Sequence, residues 1–172
     1  MSISSLSRRF GLIAFLAGLT LAACQNEPSS NPTTSPIGSV DRVRPDVRQY
    51  INSELTSEYE KKAALQYAAA LQGKIEAADD APQIKQLAEI GFKAMDCMYY
   101  VLPRTKQFPV YARAYSVQNE LEARTFNTKE RSLAYIRSLK HLSGSVWRSR
   151  NENEFPGTCD FDLAGFTPTV LP

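Results

Sequence analysis

The sequence lacks the short motifs that mark the common kinds of active site. Its 172 residues contain no Gly-x-Ser-x-Gly elbow, no P-loop, no dinucleotide-binding glycine pattern and no EF-hand loop. It also lacks a Cys-x-x-Cys pair, which excludes the usual thiol redox motif. These absences leave no catalytic constellation and no cofactor-binding motif, so we expect a protein that is not an enzyme.

Histidine is nearly absent. The single one, His141, falls near the end of the last predicted helix, where a cation is favourable. A zinc site needs three or four nitrogen or sulfur ligands, and the cysteines have other roles, argued below, so we predict no metal. The acidic pairs Asp79-Asp80 and Glu152 with Glu154 remain as candidates for glycoside hydrolysis. A break between helices already explains the first pair, and no pattern places either pair in a cleft.

An apolar run long enough to cross a membrane is missing too. A span needs roughly 20 apolar residues. Phe10 to Ala23 supplies fourteen, which two glycines and a threonine interrupt. Arg8 and Arg9 precede this run, and a short apolar stretch behind positive charge is typical of a signal peptide.

The end of that run, Leu21-Ala22-Ala23-Cys24, resembles the lipobox of bacterial lipoproteins. The resemblance covers residues 1–24 and implies cleavage before Cys24, which would then carry diacylglycerol and an amide-linked fatty acid such as palmitate. Residue 25 is Gln rather than Asp, which in Gram-negative sorting resembles an outer-membrane destination facing the periplasm. A plain secretory signal with an accidental Cys24 is the alternative.

Neither sign of charge dominates once this leader is removed. The chain has 20 Lys+Arg and 18 Asp+Glu, and the leader holds two arginines and no acid. The mature chain therefore has 20 − 2 = 18 basic residues against 18 acidic ones. A globally basic, nucleic-acid-binding protein is not indicated.

Residues 24–44 read as a lipidated tether. They contain three prolines, several serines and threonines, and almost no large apolar side chain. Such a segment would reach about 60 Å if it were polyproline-like, or about 25 Å as a coil. The 128 residues of 45–172 are enough for one domain with its own core.

The domain is predicted to be all-α, a bundle of about four helices, because no stretch alternates with period two. Residues 46–78 favour one long helix, although a capping box at Ser57 and Glu60 would start a second one. Pro82 to Leu102 predicts a central helix, and Pro109 to Thr125 predicts the next.

The last helix is predicted to start at an Asn127 N-cap and to stop at Gly144. Its predicted buried face is Leu133, Ile136, Leu139 and Leu142. Residues 151–172, rich in Asn, Gly and Pro, predict an irregular tail that lies over the bundle.

Cys97 and Cys159 are the two cysteines outside the lipobox. An even pair in an exported chain favours one disulfide, which would tie the tail back to the central helix. Two reduced, buried thiols are the alternative.

The segment from residue 129 to 150 is locally basic. It holds six basic residues against Glu130 alone, and the only tryptophan lies among them. We expect a partner-binding surface there, formed by Lys129, Arg137, Lys140, Trp147 and Arg148. An ordinary solvated face is the alternative.

These features favour a lipoprotein of the cell envelope that binds another envelope protein. An accessory component of an envelope machine, an entry-exclusion protein and an immunity protein all fit. The alternative is a binder of a cell-wall or anionic lipid ligand through the basic segment, and an envelope hydrolase comes third.

The lipobox generates the first prediction. Mass spectrometry of protein extracted from membranes should find a diacylglyceryl group on an N-terminal Cys24. The Cys24→Ser variant should leave the membrane fraction, because stable anchoring needs two or more acyl chains. Wild-type recovery of Cys24→Ser in the membrane fraction would refute the lipid anchor.

Overall fold

The computed structural model describes residues 35–172, and these are mostly helical, as predicted. The five α-helices are α1 (Pro45–Glu54), α2 (Glu58–Glu76), α3 (Ala81–Val101), α4 (Ala112–Thr125) and α5 (Lys129–Lys140). Short 3-10 helices span Val40–Arg42 and Glu152–Thr158. The two-residue strands β1 (Arg104–Thr105) and β2 (Val170–Leu171) pair in parallel. The all-α prediction is confirmed, but a count of about four helices is too low.

The extra helix comes from a break between α1 and α2, so the preferred single helix over 46–78 is wrong. The Ser57 hydroxyl accepts a hydrogen bond from the Tyr59 amide at 3.2 Å, and the Glu60 carboxylate accepts one from the Ser57 amide at 3.4 Å. This reciprocal capping satisfies two amides that would otherwise lack partners. Leu55, extended at the break, is buried in the core.

The core is centred on a close contact between α2 and α3. Most buried positions of α2 are alanines, and Gly73 is buried with them. A β-carbon on Gly73 would lie 2.8 Å from Leu87 Cδ2 of α3, closer than side chains normally approach. The helices α1 and α4 add larger side chains around this contact, among them Ile51, Val117 and Leu121.

The packed region begins before residue 44, where the sequence placed the end of the tether. Ile37 packs against a small cluster of Ala77, Ile84 and Leu87, and Val43 is buried. Gly38 has a positive φ of 83°, and its backbone would lie 3.1 Å from a β-carbon on Gly73. Isolated apolar side chains among prolines gave no periodic pattern, so the sequence did not reveal this contact. The predicted signal peptide, Cys24 and the first part of the predicted tether lie outside the described residues.

The C-terminal residues lie over α3, as predicted, although seven of them form a 3-10 helix. Cys97 of α3 and Cys159 form a disulfide with a Cα–Cα distance of 5.0 Å, which confirms the predicted pairing. The buried Gln66 side chain donates to the Thr158 carbonyl at 2.9 Å and accepts from the Asp160 amide at 3.3 Å. The tail is therefore fixed both covalently and by hydrogen bonds.

Reduction of this disulfide should destabilise the fold. The bridge joins positions 62 residues apart, and loop-closure entropy predicts a loss of about 2–4 kcal/mol in the free energy of unfolding. Urea unfolding with and without reductant measures it. The Cys97→Ala/Cys159→Ser variant is the control, because it should not respond to reductant. An unchanged midpoint for the reduced wild-type chain would contradict the prediction.

Candidate functional site

The helix α5 begins one residue later than predicted. Thr128, not Asn127, is its N-cap, and its hydroxyl accepts from the Arg131 amide at 3.3 Å. The Asn127 side chain instead accepts from the Arg131 guanidinium at 2.6 Å. The predicted stop at Gly144 is wrong, because α5 ends at Lys140 with His141 as its C-cap. Gly144, with a positive φ of 76°, lies in the turns that follow.

The predicted buried face of α5 is wrong in three of its four positions. Leu133, Ile136 and Leu139 are 45%, 50% and 42% exposed. Ala134 and Ser138 are the buried residues of α5, and only Leu142, beyond the helix, packs as predicted against the cluster at Ala77.

The small side chains explain this orientation. Ala134 and Ser138 let α5 approach α2 closely, and the Ser138 hydroxyl donates to the Tyr135 carbonyl at 2.7 Å, which satisfies it in the buried position. Tyr135 stacks on Phe126, with ring centroids 4.0 Å apart. The larger apolar side chains of α5 are consequently left facing outward.

Two lysines share that outward face. At about 100° per residue, Lys129 and Lys140 lie within about 40° of Leu133 and Ile136 around the helix. Both lysines are exposed, and neither forms an ion pair with another described residue. We call Lys129, Leu133, Ile136, Leu139 and Lys140 together the α5 surface.

Arg137 borders the α5 surface, but an acid partly neutralises it. Its Nε lies 3.0 Å from Oδ1 of Asp79, at the break between α2 and α3. Both side chains are largely exposed, so this ion pair contributes little to stability.

Trp147 and Arg148, predicted to share the basic surface, lie elsewhere. The chain after α5 runs along α3, where Trp147 contacts Phe92 at a centroid distance of 5.3 Å. Arg148 forms an ion pair with Glu154. These residues border a cleft of about 380 Å³ that also includes Glu89 and Arg150. The structure therefore divides the predicted basic surface into two places.

Arg150 compensates the charge of a carboxylate on α3 that lies inside the fold. Asp96 of α3 is buried, and its Oδ2 lies 3.2 Å from Arg150 Nη1. Burial raises the pKa of Asp96 above its usual value, and the hydrogen bond from Arg150 partly opposes that rise.

A second exposed apolar surface lies near the β1–β2 pair, and sequence reasoning missed it. Phe108 is 95% exposed at the tip of the loop that follows β1, while Tyr115, Val170 and Leu171 are each about half exposed. The Thr105 hydroxyl donates to the Gln107 carbonyl at 2.6 Å within this loop. We call Phe108, Tyr115, Val170 and Leu171 the distal patch.

The distal patch lies far from Ile37. The loop with Phe108 follows the C-terminal end of α3, whereas Ile37 packs near the N-terminal end of α3. A helix of 21 residues is about 30 Å long. The lone Phe108 between polar residues and Pro109 was the sequence signal available, but it fits no periodic pattern.

The candidate acid–base residues have structural roles. Asp79 pairs with Arg137, and Asp80 caps α3 by accepting from the Gln83 amide at 3.0 Å. Glu152 accepts from the Tyr111 hydroxyl and pairs with Arg104. Glu154 caps the C-terminal 3-10 helix, and the backbone hydrogen bond at Asn151 lowers its pKa. His141 is the C-cap residue of α5.

Residues 35–172 contain neither a metal-binding cluster nor a membrane-spanning helix. They contain no group of three or more His, Cys, Asp or Glu side chains arranged to hold a metal ion. None of their helices combines the length and the apolar character that a membrane span requires. The chain matches no known protein family, no curated protein and no solved structure.

Buried tyrosines make the fold sensitive to alkali. The Tyr67 hydroxyl donates to Glu122 at 2.5 Å, and burial, reinforced by this carboxylate, raises its pKa far above the usual 10.0. Burial also raises the pKa of Tyr99, which stacks on Tyr111, and it raises the pKa of Tyr111 itself to about 12. These hydroxyls stay protonated in the folded chain after they would ionise in the unfolded one.

We therefore expect stability to fall as the pH rises above 10. Below the unfolded pKa of 10.0, the preference of the folded chain for protonated tyrosines contributes fully to stability. This contribution is lost as the pH rises from 10 toward the pKa values of the folded chain. Absorbance of phenolate, followed with circular dichroism, should show a set of tyrosines that ionise only as helix is lost. Ionisation of all eight near pH 10 without loss of helix would contradict this.

Proposed function

We propose that this chain is a lipid-anchored envelope protein that binds another envelope protein and catalyses no reaction. Cys24 carries the anchor, and the signal sequence directs the chain to the periplasmic face of the outer membrane. The distal patch is the binding surface. The role is of the accessory, exclusion or immunity type.

The exposure of Phe108 carries this proposal. A phenylalanine that is 95% exposed leaves a large apolar surface in water, and aromatic side chains are enriched in protein interfaces. Tyr115, Val170 and Leu171, each about half exposed, lie on the neighbouring elements: β2 pairs with β1, and α4 contacts β1. Because contiguous exposed apolar patches often mark interaction sites, a protein partner fits this surface.

The loop of Phe108 is also held in place. The Thr105 hydroxyl donates to the Gln107 carbonyl at 2.6 Å, and the Thr105 amide donates to the Val110 carbonyl at 3.0 Å. The second bond closes the loop across its base, and the first holds the chain within it. A loop that is already ordered loses less conformational entropy when it binds, which favours affinity.

The structural roles of the acidic residues support a function without catalysis. Asp80 and Glu154 cap helices, while Asp79 and Glu152 pair with arginines. These contacts account for all four carboxylates without a catalytic role.

A second candidate function is the binding of an anionic ligand of the cell wall or membrane through residues 129–150. Lys129 and Lys140, exposed and without an ion pair among the described residues, favour it. The arginines of the segment weaken it, because Arg137, Arg148 and Arg150 each face a carboxylate.

A photoreactive residue at position 108 tests the distal patch. In the cells that produce this protein, the photoreactive residue should form an adduct with one envelope protein, which mass spectrometry identifies. The matched control is the same residue at position 146, because Val146 is also 95% exposed but lies outside the patch. Equal adducts at both positions, or none at 108, would count against the proposal.

With the identified partner purified, Phe108→Ala should weaken binding by about 30-fold, the effect of an interface hot spot. Val146→Ala should leave the affinity unchanged. Both side chains are almost fully exposed, so circular dichroism should show the same fold in each variant.

A further inference from the structure

The α5 surface has the composition of a helix that lies at a membrane interface. Leu133, Ile136 and Leu139 present apolar side chains outward, and Lys129 and Lys140 lie beside them on the same face. A helix of this kind places its apolar side chains among lipid headgroups and acyl chains, while its cations bind anionic headgroups. Arg137 adds a further cation at the edge, shared with Asp79.

The start of the packed region lies beside this surface. Ile37 and Leu142, which follows α5 by two residues, pack against the same cluster of Ala77, Ile84 and Leu87. Only residues 25–34 separate Cys24 from Ser35, where the described chain begins. A chain of that length spans at most about 40 Å. A lipid on Cys24 would therefore hold Ser35, and with it the nearby C-terminal end of α5, within reach of the bilayer, at a distance of at most about 40 Å.

We propose that the α5 surface rests on the anionic phospholipid bilayer in which Cys24 is anchored. Leu133, Ile136 and Leu139 enter the interface, and Lys129 and Lys140 bind phosphate groups of the lipids. The inference rests on the lipid anchor of the proposed function and goes beyond it, because it assigns a second surface to the membrane. The distal patch remains free for the protein partner.

Charge and position together favour a bilayer over a protein for this surface. Each cation near an anionic membrane strengthens binding by about fivefold, and the α5 surface itself contains no acid. Glu130 points about 100° away from Lys129 around the helix. Three half-exposed apolar side chains form only a small contact with a bilayer. A small contact is sufficient when a lipid anchor already holds the domain close to the membrane.

Tryptophan fluorescence tests the proposal. The chain has one tryptophan, so Trp147→Phe removes the native signal and Ile136→Trp places a reporter in the α5 surface. Residues 24–172 are coupled through the Cys24 thiol to a maleimide lipid in vesicles, since Cys97 and Cys159 are joined to each other. This coupling replaces any acylation in the cell, so failure of docking is distinguishable from failure of the lipid anchor.

With phosphatidylglycerol and brominated lipid in the vesicles, emission from position 136 should shift to the blue and be quenched. High salt should reverse both effects, because it screens charge within a few ångströms. The control reporter is Asn153→Trp, also in the Trp147→Phe background. Asn153 is exposed in the 3-10 helix that packs on α3, whereas α5 packs on α2, so bromine should not quench it.

Charge reversal gives a second readout. Lys129→Glu with Lys140→Glu should lower the ratio of docked to undocked chain by about 30-fold or more, at about fivefold for each lysine lost. Lys62→Glu with Lys106→Glu changes the net charge equally at exposed positions outside α5 and should leave quenching unchanged.

Equal quenching at positions 136 and 153, or none at 136, would overturn the proposal. A blue shift at 136 in native membranes without quenching by brominated lipid would also overturn it, because a protein would then cover the α5 surface. If cells do not acylate Cys24 but the coupled chain docks, the proposed lipid anchor is wrong and the proposed membrane contact of the α5 surface is supported.

Discussion

The contact between α2 and α3 depends on side chains that are small or absent. A β-carbon on Gly73 would lie 2.8 Å from Leu87 Cδ2 and 3.1 Å from the backbone of Gly38. The same glycine thus lets three segments meet: the start of the packed region, α2 and α3. Because α3 packs closely against α2, Cys97 is fully buried, and the disulfide holds the C-terminal tail against the centre of the fold.

Sequence reasoning was most reliable where one element decides its own structure. The predicted limits of α3, Pro82 and Leu102, each lie one residue from the observed limits, Ala81 and Val101. The disulfide followed from counting cysteines. It was least reliable where a tertiary contact decides, as at Ile37 and Val43, which lie in a proline-rich segment and still pack. The break at Ser57 was visible in the sequence as a capping box, although residues 46–78 were predicted to form one long helix.

The error in α5 has a physical lesson. The predicted buried face and the predicted basic surface occupied the same arc of the helix, since Lys129 and Lys140 lie within about 40° of Leu133 and Ile136. A single face is not both buried and richly charged without partners. Ala134 and Ser138, small and on the opposite side, were the sequence signal for the true contact. The apolar residues of α5 that are exposed instead of buried form the candidate membrane surface. Trp147 and Arg148, which were predicted to belong to the basic surface, lie along α3.

The early start of the packed region has a consequence for how strongly the α5 surface must bind. If Cys24 carries the proposed lipid, the length of residues 25–34 would keep the domain within about 40 Å of the bilayer. Short linkers of this kind give effective concentrations in the millimolar range. A surface of millimolar affinity, undetectable for a chain free in solution, would then be occupied about half the time. The domain would alternate between lying on the membrane and standing clear of it, and a partner that binds only one of these orientations would shift the balance between them.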